Sequence, residues 1–273
     1  MGQFKRGRRP ARHTLRTMRG ALALQKALAS LGAPPAVSND YVSAVVKQSP
    51  GGWQMFLNNQ LGDCVCAGSA HQVMLHTANA GNIVVPTDQD VLTMYEQVGG
   101  YVPGNASTDQ GCDETTACEW LQQVGLAGQK SAGSGMVDPA RLDLIRWTVQ
   151  IFGACRLGII VDDQMEQQFS SQQPWETAAD SNDPSAGGHD VPIVKYDAEY
   201  AYVVTWGGGG WPQGLQPVSW SLMGQSAFLS EAHCEAWPDF VRAGGTAPNG
   251  FNLAGLLAEL PMVEEPASSG ALQ

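Results

Sequence analysis

The chain has 273 residues, of which 43% are apolar and only 15% charged, with 32 glycines and 16 prolines: enough for a substantial core, built from short elements joined by long loops. Net charge is −11, yet seven of the 15 basic residues (Lys5, Arg6, Arg8, Arg9, Arg12, Arg16, Arg19) fall within the first 20 positions, where there is no acid. No apolar run is long enough to cross a bilayer, the basic start lacks the pattern of a secretory signal, and six cysteines are too few to build a fold of this size from disulfides.

Reduced thiols are therefore expected, in a cytoplasmic or particle-associated (virion) protein. A basic arm on an acidic body suits an anionic partner such as nucleic acid or a phosphate surface, or folds back on the body itself.

Residues 1–35 read as that arm followed by a short helix over 20–31, stopped by Gly32 and Pro34-Pro35. The segment 36–57 approaches a compact motif, Asn58-Asn59-Gln60-Leu61-Gly62-Asp63-Cys64-Val65-Cys66. A helix is expected over 69–78. A second follows Thr87, a candidate N-cap with Asp90 three residues on and Val91, Met94, Tyr95 and Val98 at helical spacing; Gly99-Gly100 ends it. A third follows Cys112, with capping-box spacing at Thr116 and Glu119, and residues 127–136 read as a flexible loop. Asp138-Pro139 predicts the start of a fourth helix, carrying Leu142, Ile145, Val149 and Phe152 on one face.

The period then changes. Ala154–Val161, Val191–Tyr196 and Tyr200–Trp206 read as strands, with edge strands at Val218–Leu222 and Ala227–Leu229. His233 and Cys234 lie away from any motif, and 241–273 read as a loose tail. Helices first and strands second predict an α+β fold, with a domain over 36–240 made of a helical part (about 53–152) and a β part (about 153–240).

The chemistry-bearing residues are a cysteine at a helix start and a histidine opening a strand. At a helix start, orphan N–H groups and the dipole favour a thiolate and an oxyanion alike. Cys66, His189 and Gln60 together have the composition of covalent acyl transfer: thiol, proton-shuttling imidazole and amide donor. Asp190 adjoins His189 but belongs to the opposite strand face. Zinc is not expected, because the Cys64-Val65-Cys66 spacing is too tight for a knuckle, and no other cofactor is implied.

These residues bring out a resemblance. Over roughly 53–211 the chain is similar to the papain-like cysteine peptidases at four places in order. They are the Gln60-to-Cys66 interval; Gln110-Gly111-Cys112 with a helix ending at Gly125; Gly188-His189-Asp190-Val191 with Val194 and Tyr196; and Tyr202 to Gly207 running into a Gly-rich turn and Trp211. The resemblance implies two subdomains around a cleft, a helical left part carrying Cys66 and an antiparallel β right part carrying His189. It implies that Gln60 and the Cys66 N–H hold the oxyanion and that Cys112, Gly188, Trp206 and Trp211 line the groove. It also implies that Cys112 pairs with Cys64, which stands one residue nearer the nucleophile than is usual in the family.

Two departures stand out. The family's orienting asparagine is missing; Val204 takes its place, with Thr205 beside it as the alternative orienter. No typical inhibitory prosegment is recognisable. Two functions follow: a peptidase acting on peptide or isopeptide bonds through Cys66 and His189, or a degenerate scaffold serving as a subunit of a larger assembly such as a phage particle.

Overall fold

In a computed structural model, residues 4–12, 24–180 and 182–240 are described; the expected tail and the start of the first expected helix lie outside them. The elements are β1 (Arg8–Arg9), α1 (residues 24–29), α2 (Val42–Gln48), α3 (Cys64–Asn79), α4 (Asp88–Gly99), β2 (Cys112–Asp113), α5 (Glu114–Gln123), β3 (Gly133–Val137), α6 (Leu142–Phe152), β4 (Cys155–Val161), α7 (Asp163–Ser170), β5 (Gly187–Tyr196), β6 (Tyr200–Val203), β7 (Gln216–Ser219), α8 (Trp220–Met223) and β8 (Leu229–Ala236). No helix among the described residues is long and apolar enough to cross a membrane.

Two lobes result, each with its own core. In the helical lobe, α3 is buried on every side, so its residues pack with Val45 of α2, Met94 and Tyr95 of α4 and Leu121 of α5. In the other lobe β3, β8, β4, β5, β6 and β7 form, in that order, a six-stranded sheet whose pairings are all antiparallel. Ile145, Val149 and Phe152 of α6 and Leu28 of α1 cover one face of it. The architecture is α+β, a helical region beside an antiparallel sheet, as expected.

Local chemistry explains where the elements begin. The Thr87–Asp90 capping box forms as read, with Gly100 left-handed at the other end of α4. Other boundaries move. Asp113, not Thr116, caps α5, accepting the Thr116 N–H. Asp138 makes the turn leaving β3, so α6 begins only at Leu142. α3 begins at Cys64 rather than 69, directly after Asp63.

Two strands were not expected. β3 occupies part of the segment read as flexible. β8 lies inside the sheet between β3 and β4, and it carries His233 and Cys234. Alternation along β8 puts Glu231, His233 and Glu235 on one face and Ala232, Cys234 and Ala236 on the other.

Arg156 of β4 joins the lobes. Fully buried, it donates to the Val65 carbonyl (2.6 Å) and Ser69 Oγ (3.0 Å) of α3, to Asp190 of β5 (3.1 Å) and to Glu235 of β8 (3.0 Å). Such a group is retained in a core only when its hydrogen bonds are met this fully.

Candidate active site

His189 lies near the start of β5, and strand alternation turns its side chain opposite to Asp190, whose carboxylate is taken by Arg156. The imidazole is buried, with Nε2 2.8 Å from Thr205 Oγ1. Its ring stacks on Trp206 at 4.6 Å. Thr205 leaves β6 extended, and the left-handed backbone of Trp206 and Gly207 turns the chain back beneath the imidazole. Nδ1 is buried without a hydrogen-bond partner. An Nε2–H donated to Thr205 leaves the Nδ1 lone pair free to accept a proton. Burial first, then the charges of Arg6 and Arg8, push the His189 pKa down to about 3, so the ring is neutral here.

The two cysteines of the motif have different surroundings. Side chains two residues apart on a helix project about 200° apart. The Cys64 thiol meets the backbone N–H groups of Asp190, the residue after His189, and of Gly7. The Cys66 thiol faces Cys112, 3.9 Å away, with Asp63 and Arg156 nearby. Burial pushes both thiols well up from their ordinary values. The backbone donors differ as well. The Cys66 N–H is spent on the Asp63 carbonyl at 2.8 Å, whereas Cys64 opens the helix, where an N–H has no acceptor within it.

The surroundings of the other motif residues differ as well. Gln60 is exposed, and its side chain makes no hydrogen bond among the described residues. Asn58 stands the same interval before Cys64 as Gln60 does before Cys66; it is buried, with its amide reaching Asp63 Oδ1 at 3.1 Å and the Leu61 carbonyl at 3.3 Å. The Cys64–Cys112 disulfide does not form: all six cysteines are free, and Cys112 neighbours Cys66. Asp63 immediately before α3 was the available signal, a residue type common just outside a helix start.

The chain's own arm folds back on the body and lies across this site. β1 pairs parallel with β2, and the Cys112 N–H donates to the Gly7 carbonyl at 2.9 Å. The Lys5 N–H reaches the Asn58 carbonyl. Gly7 is wedged so tightly that a Cβ there would lie 1.7 Å from the Gly62 carbonyl oxygen. Gly188, expected in the groove, lies under the Arg8 carbonyl, which a Cβ at 188 would meet at 2.5 Å. Phe4 stacks on Trp206 at 4.7 Å and meets the edge of Phe169. Trp211 lines a surface concavity with Lys195, Tyr200, Tyr202 and Gln213.

The arm's charges are met by acids of the body. Arg6 bonds Asp163 (2.9 Å), Glu166 (2.5 Å) and the Ser185 carbonyl. Arg8 forms an ion pair with Glu231 at 2.7 Å and donates to Ser230 Oγ at 2.7 Å, and the Ala11 N–H donates to Glu231. Burial pulls Glu231 upward, but His233, Arg8 and the Ala11 N–H outweigh it and hold the carboxyl down to about 2. Burial raises the Glu114 carboxyl to about 7, against the pull of Arg156 and Arg8. Glu114, Glu231 and His233 are a group whose ligand atoms lie within 4.8 Å of one another. The Arg8 guanidinium already supplies the cation on Glu231.

Neither a protein-family model nor a curated protein matches the sequence. Among solved structures the chain is similar to xylellain, a cysteine protease from Xylella fastidiosa (TM-score 0.61, 11% identity, covering 86% of this chain and 98% of that one). It is similar to the cysteine protease and lectin-like domains of Cwp84, a surface layer associated protein of Clostridium difficile (TM-score 0.56, 10% identity, 85% of this chain and 55% of that one). It is also similar to proCathepsin B S9 from Trypanosoma congolense (TM-score 0.52, 12% identity, 85% and 83%). The likeness is one of fold and covers both lobes.

Proposed function

We propose that this chain, a divergent bearer of the papain-like fold, is a cysteine peptidase held latent by its own N-terminal arm. The observation that carries the reading is the constellation at the head of α3. A thiol meets the backbone of the residue next to His189, whose Nε2 is held by Thr205 and whose Nδ1 is bare.

In this reading Cys64, rather than Cys66, attacks the substrate carbonyl. His189 Nδ1 takes the thiol proton and returns it to the departing amine, while Thr205 accepts from Nε2–H and keeps the ring in register. The Cys64 N–H faces the developing oxyanion, with the Asn58 amide as second donor once it turns from Asp63. Water then attacks the acyl-enzyme with His189 as base. With the arm seated, burial keeps the thiol protonated and the imidazole neutral, the opposite of the activated pair. Withdrawal of the arm admits water and substrate together.

The test uses full-length chain carrying Gly7→Val, whose side chain has no room between the walls of the cleft. This variant hydrolyses a fluorogenic peptide; adding Cys64→Ala abolishes turnover, and adding Cys66→Ala preserves it. Loss with Cys66→Ala alone would restore the Cys66 assignment. The second reading is a non-catalytic scaffold, an interaction subunit of a larger assembly. The sealed cleft favours it, and it predicts no turnover in any folded arm variant.

A further inference from the structure

The arm fills two acidic sockets, and their chemistry identifies what else fits them. The first, on α7, sets Asp163 and Glu166 around the Arg6 guanidinium, with the Ser185 carbonyl completing the ring of acceptors. The second lies over the sheet. Glu231 and Ser230 of β8 bind Arg8, and Gly158 of β4 makes its floor: a Cβ at 158 would lie 2.7 Å from the guanidinium. Behind it sits Glu114, fully buried, both carboxylate oxygens without a hydrogen bond and His233 Nε2 3.4 Å away.

Carboxylates on the buried face of a sheet strand carry a desolvation cost that a cation must offset. A planar guanidinium suits sockets that offer several fixed acceptors. Between the sockets the backbone channel admits no side chain. A Cβ on Gly7 would strike the Gly62 carbonyl, and one on Gly111 would lie 1.6 Å from the Gly7 carbonyl oxygen. The cleft thus reads a guanidinium, a bare backbone and a second guanidinium at three consecutive positions.

We infer that the cleft is a receptor for arginine–glycine polypeptides of the form Arg-Gly-Arg, occupied in cis by the arm and in trans by substrates of the same chemistry. This specificity rests on the peptidase reading only for what happens after binding. The sockets are built from body residues on α7, β4, β8 and α5, so they persist when the arm leaves. The surplus of acids over bases outside the first 20 residues steers such basic chains toward the cleft.

The experiment measures binding, not turnover, on full-length protein. A fluorescent peptide with the sequence of residues 4–12 is titrated by anisotropy into wild type, into Gly7→Val and into Arg6→Glu/Arg8→Glu, each checked for fold by circular dichroism. The two arm variants release the cleft by different means, steric and electrostatic. Both are expected to bind the peptide at least about tenfold more tightly than wild type, whose arm competes in cis. Replacing the two peptide arginines that correspond to Arg6 and Arg8 by leucine, or adding Glu166→Gln or Glu231→Gln to the protein, is expected to weaken binding by about tenfold or more.

Equal binding of the leucine peptide, or no binding to either folded arm variant, overturns the inference. The peptidase reading fails separately. Charge-dependent binding with an unreactive Cys64 leaves the receptor standing without the enzyme. A reactive Cys64 indifferent to arginine leaves the enzyme standing without this specificity.

Discussion

In the proposed mechanism His189 and Thr205 are the pair on which the chemistry turns. Thr205 Oγ1 occupies the side of the imidazole away from the bare Nδ1, 2.8 Å from Nε2. Thr205→Ala frees the ring to rotate and to adopt the other tautomer. On the arm-released background this is expected to lower kcat by about 10–100-fold with little change in KM, while Thr205→Ser retains most of the activity. Steady-state kinetics of the three proteins check this; unchanged kcat in Thr205→Ala removes the positioning role. Arg156 acts differently, beneath the site. Arg156→Met leaves Asp190 and Glu235 buried without their cation and is expected to cost about 3–5 kcal/mol in chemical denaturation. The sequence made His189 and Thr205 legible because both sit beside glycine-rich punctuation in strand patterns. It chose Cys66 over Cys64 on the Gln60 interval. Asn58-to-Cys64 has the same interval, and in the proposed mechanism the helix start, five residues earlier than its apolar stripe suggested, favours Cys64.

At the scale of elements, periodicity served where one face is buried and failed where both are. α4 is amphipathic and was placed with its cap. β8 was missed because its alternation is of acids against small residues, and its acids make sense only once Arg156 and Arg8 arrive from elsewhere in the chain. The arm was visible as charge, and folding back on the acidic body was one of its open readings. Its place in the cleft depends on Gly7, Gly62 and Gly111 meeting in space. The arm's electrostatics carry a pH dependence. With the arm seated, His189 titrates at about 3 against 6.5 ordinarily, and Glu231 at about 2 against 4.5. Arg8 also pulls Glu114 down from where burial alone would put it. Each group binds its proton more readily once the arginines leave, so the released state holds more protons and acid favours release. Glu166, which holds Arg6 and whose carboxyl burial raises, loses its grip in the same direction when protonated. A dye at the chain's N-terminus is therefore expected to lose anisotropy as pH falls from 6.5 toward 4.5. Flat anisotropy through that window, in a protein still folded by circular dichroism, contradicts the linkage.

For the molecule as a whole, two lobes with separate cores meet along α3 and β5, and Arg156 pins them on one side of Cys64 and His189 while the arm pins them on the other. The overall α+β division was legible in the sequence because the hydrophobic period changes near residue 154. The closure of the cleft was not, since it arises from contacts between residues 4–12 and acids more than a hundred positions away. If Cys64 is a nucleophile that the arm conceals, a peptide-like electrophile maps to it once the arm is released. Mass spectrometry is predicted to find the probe on Cys64 in full-length Gly7→Val, at least about tenfold less of it in wild type, and none when His189→Ala is added. Labelling of Cys66 instead, or no labelling of folded Gly7→Val, would contradict the account.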